Sequence, residues 1–406
     1  MFGGKILSVI YSLANDQLWH NFLEHKKESV LTSKIIKQYE KYILNKEYTE
    51  IVTKIINEDY SFSIPRKVSI NKVGKNKKRV VYLYSKEETY ILKMLVFLMY
   101  KYDYLFAPNL YSFRQKSGAK KAIFDLIRSN IKSKHAYKVD IKNYFNSIPI
   151  EKLLYPLEND LNDYKLYNLI KQLVINNKVE ENGNIIEEEK GIMAGVPISS
   201  FLANYYLKDL DYYFHYNKIT YCRYADDIIV FDSEENIKKH QEYIKSYLDN
   251  MGLAINKEKE YFYNPGEKVE FLGFSYENGI IDLSENSVKK IKGKIRRKAK
   301  SVRRWMLKND KPIEAGLLTM NKIFNRKFYG KEDDDLSWKY WFFPTINTDK
   351  SLKVVDCYMQ EWQRYIATGK HNKKNFQKAP YELLKKCNYK SLVNEYYKNK
   401  EAQTKI

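Results

Sequence analysis

The string Tyr224-Ala225-Asp226-Asp227 restricts the fold of this 406-residue chain more than any other segment. It lies between Tyr221-Cys222-Arg223 and Ile228-Ile229-Val230-Phe231, two runs that read as strands joined by a short acidic turn. Adjacent carboxylates at the tip of an apolar hairpin repel one another, and they resist burial unless something positive neutralises them. A pair of divalent cations meets that need, because hard cations take carboxylate oxygens and the turn aims those oxygens outward. The plainer reading is a solvated Asp-Asp turn, since so short a string also arises by chance.

A third carboxylate bears on the choice. In Lys138-Val139-Asp140-Ile141-Lys142-Asn143-Tyr144-Phe145-Asn146, Asp140 ends an apolar strand (His135 to Ile141) and a turn follows. In-line phosphoryl transfer with two metal ions needs a carboxylate on each of two neighbouring strands. Asp140 and Asp226 satisfy this if their strands pair. The competing role for Asp140 is to cap the helix that follows.

The flanking segments set the organisation. Leu18 to Asp59 reads as amphipathic helices, ended by Pro65. Arg66 to Tyr84 alternates as two strands around the basic turn Gly74-Lys75-Asn76-Lys77-Lys78, a hairpin with a positive tip. Helices are expected over Glu87 to Lys101, Lys116 to Lys134, Phe201 to Phe214 and Asn236 to Met251, the last ending at Gly252. Asn182-Gly183-Asn184 marks a turn, Gly191 to Ser200 is a small-residue loop, Val269 to Tyr276 reads as one strand, and Asn278-Gly279 is a hairpin turn. Composition shifts near residue 284. Ser287 to Lys308 is then a basic helix with Val288, Ile291, Ile295, Val302 and Trp305 as its apolar stripe, and Trp338, Trp341 and Trp362 anchor a helical remainder.

The overall charge points to a polyanionic partner. Lys and Arg number 71 against 50 Asp and Glu, a net charge of +21. That field favours nucleic acid over anionic membrane, with strong salt dependence, although solvated Lys on helix faces accounts for part of it. Cys222, Cys357 and Cys387 have neither disulfide nor zinc-ligand spacing, which fits a reducing cytoplasm. The most apolar run near the N-terminus, Ile91 to Tyr100, is interrupted by Lys93 and too short to span a bilayer, so no membrane role is expected.

Several segments together resemble the ordered palm motifs of reverse transcriptases. They are Asp140 with Phe145; Ala194-Gly195-Val196-Pro197-Ile198-Ser199-Ser200 continuing into Leu202-Ala203-Asn204-Tyr205-Tyr206-Leu207; the Tyr-Ala-Asp-Asp turn; Gly252 to Lys259; and Phe271-Leu272-Gly273-Phe274. Upstream, Lys78-Arg79-Val80 and Ser112-Phe113-Arg114-Gln115 look like the two fingers motifs. The resemblance covers roughly residues 66 to 310 and is nearest to bacterial enzymes of group II introns, retrons and antiphage defence. It implies an α/β right-hand polymerase fold, with an antiparallel palm sheet, mixed fingers and a helical thumb. In that scheme 1–60 is a helical N-terminal extension, 61–284 fingers and palm, 285–345 the thumb and 346–406 a helical C-terminal region.

The resemblance also implies roles. Asp140 and Asp226 hold two Mg²⁺ ions (Mn²⁺ as a substitute), helped by the carbonyl of Ile141, while Asp227 tunes the site or ligates more weakly. Arg79 pairs with the incoming triphosphate, with Lys77 or Lys78 beside it. Arg114 contacts template or nucleotide, and Pro197 belongs to the nucleotide-binding set. Phe145 sits beneath the sugar and excludes a 2′-hydroxyl, which implies dNTPs and DNA synthesis, though a plain core aromatic is compatible with the same position. Lys259 is the candidate acid for the pyrophosphate leaving group. Tyr224 packs near the primer terminus, and Phe271, Leu272, Gly273 and Phe274 grip the primer end. Lys289, Lys292, Arg296, Arg297, Lys300, Arg303 and Arg304 place the thumb against phosphates.

One departure stands out. Pro197-Ile198-Ser199 replaces the Pro-Gln-Gly of many template-copying relatives, so contacts near the templating base are expected to differ. No endonuclease pattern of Cys and His, and no ribonuclease H set of carboxylates, is recognisable in the last hundred residues. A stand-alone enzyme using a structured non-coding RNA in antiphage defence is the leading expectation. An untemplated or protein-primed polymerase, a retron or intron-derived enzyme, and an inactive RNA-binding scaffold are the alternatives. The expected partners are RNA, dNTPs and the DNA product, with a homo-oligomer open.

Overall fold

A computed structural model describes residues 7–28, 33–71, 78–115, 117–188, 191–330, 337–372 and 374–404. The chain divides into two units, Met1–Pro265 and Gly266–Ile406. Among the described residues it forms strands β1 (Arg66–Asn71), β2 (Lys78–Leu83), β3 (His135–Asp140), β4 (Lys178–Glu181), β5 (Asn184–Glu187), β6 (Thr220–Tyr224), β7 (Asp227–Asp232), β8 (Tyr261–Tyr263), β9 (Val269–Phe271), β10 (Phe274–Glu277) and β11 (Ile280–Leu283).

The first unit is built around an antiparallel sheet in the order β6-β7-β3-β8. Ile228 to Phe231 of β7 are all buried, as are Ala136, Tyr137 and Val139 of β3. Strands so apolar need cover on both faces. Helices Ala119–Arg128, Lys208–Tyr216 and Glu234–Asn250 pack against them, the last burying Ile237, Ile244 and Leu248. A second sheet, β2-β1-β4-β5, contains the expected hairpins. The tip of the first, Gly74 to Lys77, lies outside the described residues, as does Lys116. The loop before the palm helix is held to β2 by Tyr82 N–H donating to the Ala194 carbonyl at 2.9 Å. Gly195 makes that approach possible: at φ +99, a Cβ there would stand 3.1 Å from the Val81 Cβ.

The N-terminal residues are helical, with Asp16–Lys27, Ser33–Leu44 and Thr49–Ile56 meeting around buried Trp19. Tyr48 stacks on Trp19 at 4.2 Å, and the indole N–H donates to the Leu13 carbonyl. Helix Lys86–Leu98 joins the same core and starts at a capping box of Ser85 and Glu88.

In the second unit, the single strand expected over Val269 to Tyr276 is a hairpin. Phe271 pairs with Phe274, and Leu272 and Gly273 turn the chain at φ 49 and 90. Positive φ at both central positions is the mark of a tight hairpin turn, which strand alternation alone does not reveal. Asn278-Gly279 makes the second turn, as expected. These hairpins are tied to helix Glu285–Lys308, because the Gly273 carbonyl accepts from Ser284 N–H and the Ser287 hydroxyl at 2.9 Å each. The compact unit therefore starts at Gly266, ahead of the composition shift near 284.

Two helices differ from expectation. Phe201 to Phe214 breaks at Leu207 into Ser199–Tyr206 and Lys208–Tyr216. The stripe of Glu285–Lys308 is Ile291, Ile295, Ala299, Val302 and Met306; Trp305 falls beside it and is 40% exposed. Trp338 and Trp362 are buried, while Trp341 is half-buried. Among the described residues, no helix is long and apolar enough to cross a membrane.

Candidate active site

Strand pairing brings the three carboxylates together. Asp140 is the register partner of Asp227, and the N–H of Ile141 donates to the Asp226 carbonyl at 3.0 Å. Tyr224 pairs with Asp227, so Ala225 and Asp226 form a two-residue turn. Ala225 adopts φ +57, in the left-handed region that favours glycine. Asp140 is buried, and its carboxylate accepts from Asn256 Nδ2 at 3.2 Å and from the Lys259 ammonium. It does not cap a helix: that position before Tyr144–Ser147 belongs to Asn143.

The cluster is short of positive charge. Burial, then repulsion from Asp140, pushes the Asp226 carboxyl above its ordinary value, with Lys259 and Arg79 opposing. Burial, then Asp226 and Asp140, pushes Asp227 up to about 6 against the pull of Lys138 and Lys259. Burial works to lower Lys259, but its bond to Asp140 and the charges of all three carboxylates raise it overall. Among the described residues, no three His, Cys, Asp or Glu side chains already stand as a metal cage. The donor chemistry still fits Mg²⁺, which binds through one or two carboxylates and fills its shell with water and phosphate oxygens.

Other expected site residues fall into two groups. Arg79 and Lys78 are exposed on β2, and Arg79 acts on Asp226; Lys77 lies outside the described residues. Phe145 is half-buried on the first helical turn after β3, edge-on to Tyr144 at 5.9 Å. Ile141 is pinned by its bridge to Ile255, Tyr224 ends β6, and Pro197 is half-buried in its loop. Arg114 is placed otherwise. Its five N–H donors go to both carboxylate oxygens and the carbonyl of Asp103 and to the carbonyls of Ala107 and Leu110, leaving none for template or nucleotide. Ile198 is 1% exposed, so the departure from Pro-Gln-Gly is a core side chain and not a contact for a templating base.

In the second unit, Phe271 and Phe274 are buried, Phe274 lying 5.1 Å from Phe342. Only Leu272 and Gly273 of that motif remain partly exposed. On helix Glu285–Lys308, Lys289, Arg296, Arg297, Lys300 and Arg304 face solvent. Lys292 lies over the Tyr358 ring, and Arg303 donates to the Ile366 carbonyl at 2.7 Å. These two are built into the unit's packing.

Sequence reasoning missed a polar network behind the turn. Arg223 and Asp211 are both fully buried and paired, with Arg223 Nε 2.8 Å from Asp211 Oδ1. The Tyr221 hydroxyl donates to the same carboxylate, Asn109 Nδ2 donates to the Asp211 carbonyl, and Arg223 Nη2 reaches the Asn204 carbonyl. The available signal was an arginine inside a strand too apolar to leave it in water, which demands a buried carboxylate elsewhere.

Comparison with known proteins agrees with this geometry. Residues 70–276, about half the chain, match the family described as reverse transcriptase (RNA-dependent DNA polymerase). A putative COX1/OXI3 intron 2 protein of Saccharomyces cerevisiae is 23% identical over 291 residues, covering 57% of this chain and 34% of that protein. The retron Ec83 reverse transcriptase of Escherichia coli is 30% identical over 125 residues, covering 29% of this chain and 38% of the relative. The chain thus spans little more than a third of the length of these curated relatives. The structure of apo telomerase from Candida tropicalis is similar at a TM-score of 0.46 and 12% identity, over 75% of this chain and 64% of that one.

Proposed function

The chain belongs to the reverse transcriptase family, with its right-hand polymerase fold, and from that premise we propose that it is an RNA-directed DNA polymerase extending a 3′-hydroxyl with dNTPs. The observation that carries this reading is the register of β3 against β7, which sets Asp140 beside Asp226 and Asp227. Asp140 and Asp226 would hold Mg²⁺, helped by the Ile141 carbonyl, with Asp227 as a tuning charge or weaker ligand. When bound, the ions supply Lewis-acid stabilisation of the attacking and leaving oxygens. Arg79 faces the cluster from β2 and orients the triphosphate. Phe145 follows Asp140 closely enough to meet the sugar and disfavour a 2′-hydroxyl. Lys259, whose protonated form the carboxylates favour, would give a proton to the departing pyrophosphate. The exposed cations of helix Glu285–Lys308 hold nucleic-acid phosphates.

The wider role we propose is work with a dedicated structured RNA, in antiphage defence. It rests on the resemblance to stand-alone bacterial enzymes and on the similarity to the retron enzyme. The second reading is untemplated or protein-primed synthesis, since Pro197-Ile198-Ser199 lacks the glutamine amide of many template-copying relatives.

The test is extension with purified protein, Mg²⁺ and each dNTP, with and without co-purifying RNA, beside the D226A/D227A variant. DNA made only with RNA, and lost in the variant, supports the proposal. DNA made without template supports untemplated synthesis. No variant-sensitive synthesis supports an RNA-binding scaffold.

A further inference from the structure

Ala225 holds the two sides of the acidic turn in register, and something must hold Ala225. An L-residue at φ +57 keeps that conformation only when its surroundings fix it. Its N–H is buried and cannot turn to water. It donates to the Ser112 hydroxyl oxygen at 2.9 Å. That hydroxyl donates to Asn204 Oδ1 at 3.0 Å, and Asn204 Nδ2 returns a bond to the Ser112 carbonyl at 2.8 Å. The Ala225 carbonyl accepts from Arg223 Nη1 at 3.3 Å, and the same guanidinium binds the Asn204 carbonyl. Ser112 is 0% and Asn204 1% exposed.

The segment carrying Ser112 is itself fixed to the palm. Asn109 and Tyr111 exchange backbone hydrogen bonds with Arg223 at 3.1 and 3.0 Å, and Leu110 bridges Arg223 in parallel. Asn109 to Ser112 therefore line β6 on the side away from β7 and deliver one hydroxyl to the Tyr224–Ala225 peptide, at the start of the acidic turn. Ser112 and Asn204 are buried and have no surface to offer a substrate.

We propose that Ser112, oriented by Asn204, is a positioning residue: it fixes the Ala225 N–H and thereby sets where the Asp226 and Asp227 carboxylates stand. The proposal deepens the polymerase reading and rests on it. A merely structural serine would matter for stability. A positioning serine matters for turnover at constant substrate affinity, because misplacement by about 1 Å costs about 100-fold in rate.

The experiment uses the full chain with S112A and S112T, the latter retaining the hydroxyl. Three quantities are read: kcat and KM for dNTP, the melting temperature, and hydrogen exchange at the Ala225 amide in metal-free protein. In S112A we expect kcat to fall about 10- to 100-fold with KM within about threefold, and the Ala225 amide to exchange at least about tenfold faster as the turn opens locally. S112T should restore both. If S112A does not fold, S112C, a near-isostere whose thiol is a weaker acceptor, replaces it, with an intermediate loss expected. Unchanged Ala225 exchange, or kcat within twofold of the parent in a folded variant lacking the hydroxyl, overturns the proposal. Faster exchange in S112A, beside a parent chain showing no Asp226-dependent synthesis, upholds the positioning of the turn and overturns the polymerase reading instead.

Discussion

Replacing Asp227 with Asn should stabilise the metal-free protein, and the size of the effect follows from the crowding of carboxylates. Asp227 rises from an ordinary 3.8 to about 6 through burial and repulsion from Asp226 and Asp140. At about 1.4 kcal/mol per pH unit, keeping it ionised in the folded chain costs about 3 kcal/mol at neutral pH. The direction with pH follows from proton uptake. Between about pH 4 and 6 the folded chain binds more protons at this group than the unfolded chain, so its stability falls as pH rises, and the full penalty stands above about 6. D227N removes the charge at nearly constant shape. Its melting temperature at pH 7.5 should exceed the parent's by about 6 °C, taking about 2 °C per kcal/mol for a unit of this size. The gain should shrink towards zero near pH 4, where the parent is already neutralised. Millimolar Mg²⁺ should narrow the gap at pH 7.5 by supplying the missing positive charge. Thermal melts of both proteins across pH, with and without Mg²⁺, test all three. An unchanged or lower melting temperature for D227N at pH 7.5, in chelator, would refute the claim that this cluster waits for cations.

Three further outcomes are expected. D211N leaves the fully buried Arg223 guanidinium with one amide oxygen in place of a carboxylate, at a cost of about 3–5 kcal/mol, read as a melting temperature lower by about 6–10 °C. G191A puts a Cβ 2.6 Å from the Phe145 and Ile148 carbonyl oxygens, backbone atoms that cannot swing away, so the turn carrying Phe145 must shift. The cost is about 1–3 kcal/mol, and single-nucleotide incorporation should show weaker preference for dNTP over NTP. Removing Arg296, Arg297 and Lys300 together should flatten the slope of log affinity for nucleic acid against log salt by about 2–3, whereas R303A, whose guanidinium binds a backbone carbonyl, should lower stability and leave the slope.

What could be read from the sequence was what depends on neighbours along the chain. Alternating or continuous apolar runs found β3, β6 and β7, and the carboxylates at their ends then had one plausible register. Asn278-Gly279 announced its turn because both residues accept positive φ. Leu272 announced nothing, since a leucine at φ 49 is held there by the hairpin and not by preference. Less legible was what a side chain meets once the chain is folded. Arg114 has the chemistry to bind phosphate, but Asp103, Ala107 and Leu110 take up its donors first. Phe271, Phe274 and Ile198 sit in motifs that imply substrate contact, yet each is covered by packing that local pattern does not report. Ser112 and Asn204, 92 residues apart, meet only in the fold.

The pairing of Arg223 with Asp211 bears on how the carboxylates keep their charge available. The Arg223 guanidinium reaches the Ala225 carbonyl and, if unpaired, would add a fixed positive charge beside the acidic turn that holds its carboxyls down. Asp211 takes that charge instead, through two bonds to the guanidinium. The groups acting against the rise of Asp226 and Asp227 are accordingly Lys259, Arg79 and Lys138. These differ from Arg223 in kind: Arg79 is exposed on a strand hairpin and Lys259 is partly exposed on a flexible stem, so both can yield to ligands. The fixed positive charge is neutralised where it cannot move, and the movable charges are left facing the site. For the polymerase we propose, that division suits a site that admits cations with each nucleotide, because a permanent buried counterion would compete with every incoming ion.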